Sequence, residues 1–124
     1  MMKRVRIAWP GGEVTATLRP TATAATLLAA LPLEITANTW GDEVYFSVPF
    51  SADAEHDATE VVDRGAVCFW LDGDAIALLF GPTPVSTGDE CRLVSAANIV
   101  GHIDGDPEIL RKVRSGDHVR VESA

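Results

Sequence analysis

One stretch of this sequence gathers side chains that could do chemistry: Thr36 to Val48, T-A-N-T-W-G-D-E-V-Y-F-S-V. Gly41-Asp42 reads as a two-residue hairpin turn, and Gly at its first position suits type II′, whose twist matches the flanking strands. That register sets Trp40 opposite Glu43, Asn38 opposite Tyr45 and Thr36 opposite Ser47, all on one face, because side chains alternate along a strand. Stacking surface, an amide and a carboxyl on one face are the makings of a binding groove, with Trp and Tyr as amphipathic anchors. Phe80 and Thr83, in F-G-P-T-P, form a second candidate, because a loop stiffened by two prolines on a rigid scaffold can carry a site. We take Asn38, Trp40, Glu43, Tyr45, Phe80 and Thr83 as candidate ligand-binding residues.

Other chemistry is sparse. No G-x-S-x-G, H-E-x-x-H or P-loop pattern occurs, so the usual nucleophile and phosphate signatures are missing. His56 lies among Asp53, Glu55, Asp57 and Glu60, but acidic loops are ordinary on so acidic a chain and no second His is near. His102 and His118 are isolated in sequence, and Asn98 reads as a turn or backbone partner. No catalytic residue, metal ligand or cofactor is assigned.

The totals set the frame. At 124 residues the chain is expected to be a single domain over 1–124. Hydrophobic residues at 47% and charged residues at 23% are the profile of an ordinary globular protein. Its 18 acidic against 10 basic residues leave a net charge of −8, which works against binding nucleic acid or anionic lipid. Cys68, in an apolar strand, and Cys91, in a polar connection, lack C-x-x-C spacing and are expected to be inert thiols. The opening M-M-K-R-V-R-I is cut by Pro10-Gly11-Gly12 before a leader could form, and no apolar run nears the ~20 residues of a membrane span. A cytoplasmic location is the expectation.

The elements that must hold the candidate face follow from periodicity. Lys3–Trp9 and Glu13–Leu18 alternate about Pro10-Gly11-Gly12 as a first hairpin. A helix over A-A-T-L-L-A-A-L, capped by Thr21 or Thr23 and stopped by Pro32, carries Leu27, Leu28 and Leu31 on one stripe. Residues 51–60 read as a solvated acidic loop, a length often mobile or functional. Ala66–Phe80 is a second strong hairpin. Asp72-Gly73 signals a type I′ turn there, pairing Phe69 with Ile76 and Val67 with Leu78. Both its faces are apolar, so one belongs in a core and the other under a helix or loop. The double proline of 81–84 ends that strand. Ser86–Arg92 reads as a polar connection, and Leu93–Ile103 contains a strand, expected over Ala97–Ile103. Asp106-Pro107-Glu108 opens a second helix, with Arg111, Lys112 and Arg114 at its end, and His118–Glu122 is a last strand. About eight short strands with edges to hide point to a closed β-barrel with two short helices at its open ends.

Three segments in fixed order carry a family resemblance: N-T-W-G-D-E-V-Y-F-S-V-P (Asn38–Pro49), G-A-V-C-F-W-L-D-G-D-A-I-A-L-L-F-G-P-T-P (Gly65–Pro84) and S-A-A-N-I-V-G-H-I (Ser95–Ile103). The chain resembles a family of small prokaryotic proteins with a cyclophilin-like fold, largely uncharacterised in function. The resemblance spans nearly the whole chain and implies a closed eight-stranded β-barrel with two capping helices. It implies a ligand groove on the outside of the barrel wall, where the Asn38–Tyr45 face would lie. True cyclophilins are prolyl isomerases with F-H-R and F-M-x-Q-G-G-D motifs. Neither occurs here, no His precedes an Arg, and the chain has no Gln. For isomerisation Arg64 or Arg92 would have to replace the missing guanidinium, and fold alone does not license the activity.

The expected function is a non-catalytic module binding a peptide or small molecule, as a monomer or weak homo-oligomer. The alternatives are a divergent prolyl isomerase and a protein–protein assembly subunit.

Overall fold

A computed structural model describes residues 2–124. The described residues are mainly β: ten strands, one α-helix and one 3₁₀ helix. Strands β1 (Arg4–Trp9) and β2 (Gly12–Leu18) form the first hairpin, followed by helix α1 (Ala22–Ala30) and strand β3 (Leu33–Thr36). Strands β4 (Asn38–Thr39), β5 (Glu43–Ser47), β6 (Thr59–Val62), β7 (Ala66–Trp70), β8 (Ala75–Leu79), β9 (Cys91–Ile103) and β10 (His118–Ser123) complete the set. The 3₁₀ helix, Pro107–Lys112, precedes β10.

All ten strands form one sheet in the order β3-β10-β1-β2-β9-β7-β8-β5-β4, with β6 added on β9. The expected closed eight-stranded barrel is therefore not what the hydrogen bonds form. The two ends of the path, β3 and β4, are consecutive in the chain and separated only by Ala37, yet no ladder joins them. Instead Ala37 bonds sideways, its N–H to Asp117 O at 2.8 Å and its C=O from Gly116 N–H at 2.8 Å. Thr36 thus pairs with His118 rather than with Ser47.

Burial explains the sheet's two faces. Val5, Ile7, Val14, Leu18, Val44, Phe46, Val67, Phe69, Ile76 and Leu78 share a main core, the period-two set expected of β1, β2, β5, β7 and β8. Leu27 of α1 and Leu110 of the 3₁₀ helix reach the same core. Both helices start as the sequence dictates. Thr21 Oγ1 accepts from Ala24 N–H at 3.2 Å, and Asp106 Oδ1 accepts from Glu108 N–H at 3.0 Å.

The opposite face of β7–β8 builds a second, smaller core of Val62, Ala66, Cys68, Ala77, Leu79, Cys91, Leu93 and Ala97. Its cover is neither helix nor loop but strand. β9 begins at Cys91 rather than at Ala97, and with β6 it carries the cover. Cys91 is accordingly buried in a strand rather than set in a polar connection, and both thiols are free and buried.

Among the described residues no helix is long and apolar enough to cross a membrane.

Candidate functional site

The hairpin β4–β5 has the expected register near its turn. Asn38 pairs with Tyr45, Thr39 with Val44, and Trp40 N–H bonds Glu43 O at 3.0 Å. Gly41 takes φ +59, the left-handed value that the first position of a type II′ turn demands. A side chain there would also have to displace Pro84 and Thr83, whose atoms stand 2.9 Å from a Cβ. The turn is clamped to the F-G-P-T-P corner: Asp42 N–H donates to Pro82 O, and Phe80 N–H donates to Asp42 O, each at 3.0 Å. Arg111 closes the clamp from outside, with both terminal nitrogens on the Asp42 carboxylate at 2.9 and 3.1 Å.

This corner accounts for Phe80 and Thr83. Phe80 is buried in the main core, with the Arg111 guanidinium 5.0 Å from its ring centroid. Thr83 is buried too. Its hydroxyl donates to Arg92 O at 2.5 Å, and its N–H donates to Ser86 Oγ at 2.9 Å. Two candidate ligand contacts are thus placed in the framework that fixes the hairpin. Asn38 is half-buried on β4 and Thr39 is exposed.

Trp40, Glu43 and Tyr45 meet at one concavity. It holds about 170 Å³ and is completed by Trp70, Leu93 and Val94, on the side of the sheet occupied by the second core. Trp70 ends β7, and its indole is fixed twice. Nε1–H donates to Ser95 Oγ at 2.7 Å, while the ring lies so close to Gly73 that a Cβ there would fall 2.0 Å from it. The hairpin turn that makes this possible is not type I′. Leu71–Asp74 form a four-residue loop, and Asp74, not Gly73, takes the positive φ, +47. Gly73 is needed for the ring that rests on it.

Glu43 decides the chemistry of the pocket. Its residue is only 7% exposed, and Oε1 is buried without a hydrogen-bond partner. Desolvation raises its pKa from 4.5 to about 7, so proton gain and loss fall near neutrality. Among the described residues two other buried side-chain polar atoms lack partners, Trp9 Nε1 and Asp57 Oδ1, but neither residue lines this pocket. Burial, and secondarily the Glu43 charge, pushes the Cys68 thiol above its ordinary pKa, so that it stays protonated.

The remaining candidates lie elsewhere. The acidic loop is held down rather than merely solvated. Glu55 Oε2 accepts from Thr23 N–H at 3.1 Å and from Thr23 Oγ1–H at 2.6 Å, and Asp57 pairs with Arg19 at 2.8 Å. Buried Asn98 ties the same loop to β9. Arg64 donates to Phe80 O and pairs with Glu108, both at 2.9 Å, while Arg92 pairs with Glu90 at 2.9 Å. Neither arginine lines the pocket.

The sequence reading missed Trp70, Leu93 and Val94. Trp70 reads as one more apolar residue of a strong hairpin, and Leu93–Val94 fall between the expected connection and strand. The alternation Cys91-Arg92-Leu93-Val94, buried then less buried, is the signal that would have extended β9.

A cyclophilin-like family model matches residues 3–122. The solution structure of a hypothetical protein from Archaeoglobus fulgidus is similar at a TM-score of 0.85 and 36% identity, covering 99% of this chain and 95% of that one. The structure of McbB in complex with tryptophan has a TM-score of 0.66 at 19% identity, covering 95% of this chain and 44% of that one. That second likeness concerns the fold. No curated protein matches the chain.

Proposed function

The chain belongs to the cyclophilin-like family, and from that premise we propose that it is a binding module taking a small molecule, or one side chain of a peptide, in the Trp40–Glu43–Tyr45–Trp70 pocket. The observation that carries this reading is the buried Glu43 carboxyl, whose Oε1 has no partner in the protein. A buried polar atom without a partner costs about 1–3 kcal/mol, more if charged, and a bound group that satisfies it recovers that cost. Aromatic and aliphatic walls around one polar group are the usual composition of a ligand pocket.

Size narrows the occupant. A dry cavity of about 150 Å³ admits benzene, whereas pockets for drug-sized ligands start at about 300 Å³. The 170 Å³ here suits one ring or one branched head group, with the rest of any larger ligand outside past Val94, which is 55% exposed. Prolyl isomerisation draws no support from the site, because the donor it needs would come from Arg64 or Arg92 and both are engaged elsewhere.

Filling the pocket tests the proposal. A fragment screen by ligand-observed NMR is run on the native chain and on Val94→Trp, a change at an exposed rim position. Fragments that bind the native chain and lose binding in the filled variant support the reading. No binding to the native chain, or equal binding to both, refutes it.

A further inference from the structure

Resting on that pocket reading, we propose that the group the site takes is an organic cation, a quaternary or alkylated ammonium, carried by a free small molecule or by a lysine side chain. Two indoles and a phenol line the pocket with one carboxyl, and the negative faces of aromatic rings attract ammonium groups, most of all when these are desolvated. None of the six lining residues is cationic, so Glu43 has no counter-charge of its own. An anionic ligand would meet that carboxyl inside a chain of net charge −8. A neutral polar ligand would find few lining donors or acceptors besides Glu43 and the Tyr45 hydroxyl. The cavity of about 170 Å³ suits a trimethylammonium head, and its walls stand on β5, β7 and β9, with Trp40 directly after β4.

The neighbours of Glu43 leave it free to answer a ligand's charge. Asp42, next in the chain, is turned to Arg111. Leu79 faces Glu43 across the ladder with β8, and Trp40 faces it across the turn. Leu93 and Val94 of β9 and Trp70 of β7 bring no charge, and the Cys68 thiol of β7 is protonated. Tyr45 is the other titratable residue of the lining, and the second core beside it adds the buried Cys91 thiol. A cation entering this pocket therefore binds best to ionised Glu43 and displaces its proton.

The test uses choline and its neutral carbon isostere, 3,3-dimethylbutan-1-ol, titrated calorimetrically into the full chain near pH 6 and near pH 8. Choline is expected to bind at least tenfold more tightly than the alcohol near pH 8. Its affinity should fall about tenfold near pH 6, because a group titrating near 7 is then mostly protonated. Glu43→Gln should abolish both the preference for choline over the alcohol and the pH dependence. Nα-acetyl-trimethyllysine amide distinguishes the sources: tighter binding than choline points to a peptide side chain, weaker binding to a free amine. If the alcohol binds as tightly as choline, or choline binds better near pH 6, the cation inference is overturned and the pocket reading stands. If neither probe binds and the fragment screen also finds nothing, both fall.

Discussion

Two buried polar side chains differ in how far the protein satisfies them. Asn98 is 0% exposed and every polar atom of its amide is used. Its Oδ1 accepts from Glu55 N–H at 2.8 Å, and its Nδ2 donates to Asp53 O at 2.8 Å and to Thr23 Oγ1 at 3.0 Å. Glu43 is nearly as buried, on a strand of the same sheet, and leaves Oε1 unpaired. Burial alone does not distinguish them; satisfaction does. A satisfied buried amide specifies one arrangement of the loop, helix and strand around it, whereas an unsatisfied carboxyl beside a cavity retains an unused hydrogen-bonding capacity.

The sharpest way to break this contrast is to remove both polar groups and compare. Asn98→Leu strands Glu55 N–H and Asp53 C=O and is expected to cost about 4 kcal/mol in urea denaturation. Glu43→Leu should cost nothing near pH 8 and be stabilising there. A stability loss in Glu43→Leu matching that of Asn98→Leu would show that the carboxyl is framework after all.

The pH dependence of stability comes next in size. Glu43 is held above its unfolded pKa, so between about 4.5 and 7 the unfolded chain has released a proton that the folded chain retains. The contribution of this group is therefore fully present below about pH 4.5 and is lost as pH rises through about 7. At 1.36 kcal/mol per pKa unit the loss amounts to about 3 kcal/mol. Denaturation of the native chain and of Glu43→Gln from about pH 5 to 8 should give a falling line and a flatter one. Parallel lines would mean that Glu43 titrates as an ordinary surface acid.

The contrast was only half legible in the sequence. The hairpin register around Gly41-Asp42 could be read because turn chemistry and period-two alternation are local, and so Trp40, Glu43 and Tyr45 fall together as expected. Likewise Phe69 pairs with Ile76 and Val67 with Leu78 even though the loop between them has another geometry. What the sequence could not reveal depends on long-range cover. Leu93 and Val94 reach the pocket because β9 runs on past the turn region and carries β6 over the second core, with shifts of register that no local rule encodes. The charges of residues 51–60 read as solvated, yet Thr23 and Arg19, distant in sequence, tie down Glu55 and Asp57. The strong F-G-P-T-P motif reflects a corner that grips the hairpin turn, which is why Phe80 and Thr83 stand out in sequence without lining the pocket.

If the pocket is a site, changes to its wall should affect ligand binding more than stability. Gly73→Ala places a methyl 2.0 Å from the Trp70 ring and forces the indole aside. Overpacking of this kind costs about 1–3 kcal/mol, here toward the lower end because the ring borders open space. Choline affinity is expected to fall about tenfold, with a change in tryptophan emission, as a ring contact is lost. Equal choline affinity in the two proteins would remove Trp70 from the site.

Ser95→Ala is the finest of these tests, because it leaves the ring in place and removes only what fixes it. The hydroxyl accepts the Trp70 Nε1–H at 2.7 Å in a half-buried setting, and its loss should cost about 1 kcal/mol. Water at the pocket mouth can replace the acceptor, so the fold and the Glu43 pH profile should be retained. The indole would then sample more orientations, and a ligand seated against it would have to restrict them on binding. Choline affinity should drop two- to fivefold, about 0.4–1 kcal/mol, and Ser95→Thr, which keeps a hydroxyl, should restore most of it. A drop in stability without any drop in affinity would assign the Ser95–Trp70 bond to the framework, beside Asn98, and leave Glu43, Trp40 and Tyr45 to hold the ligand alone.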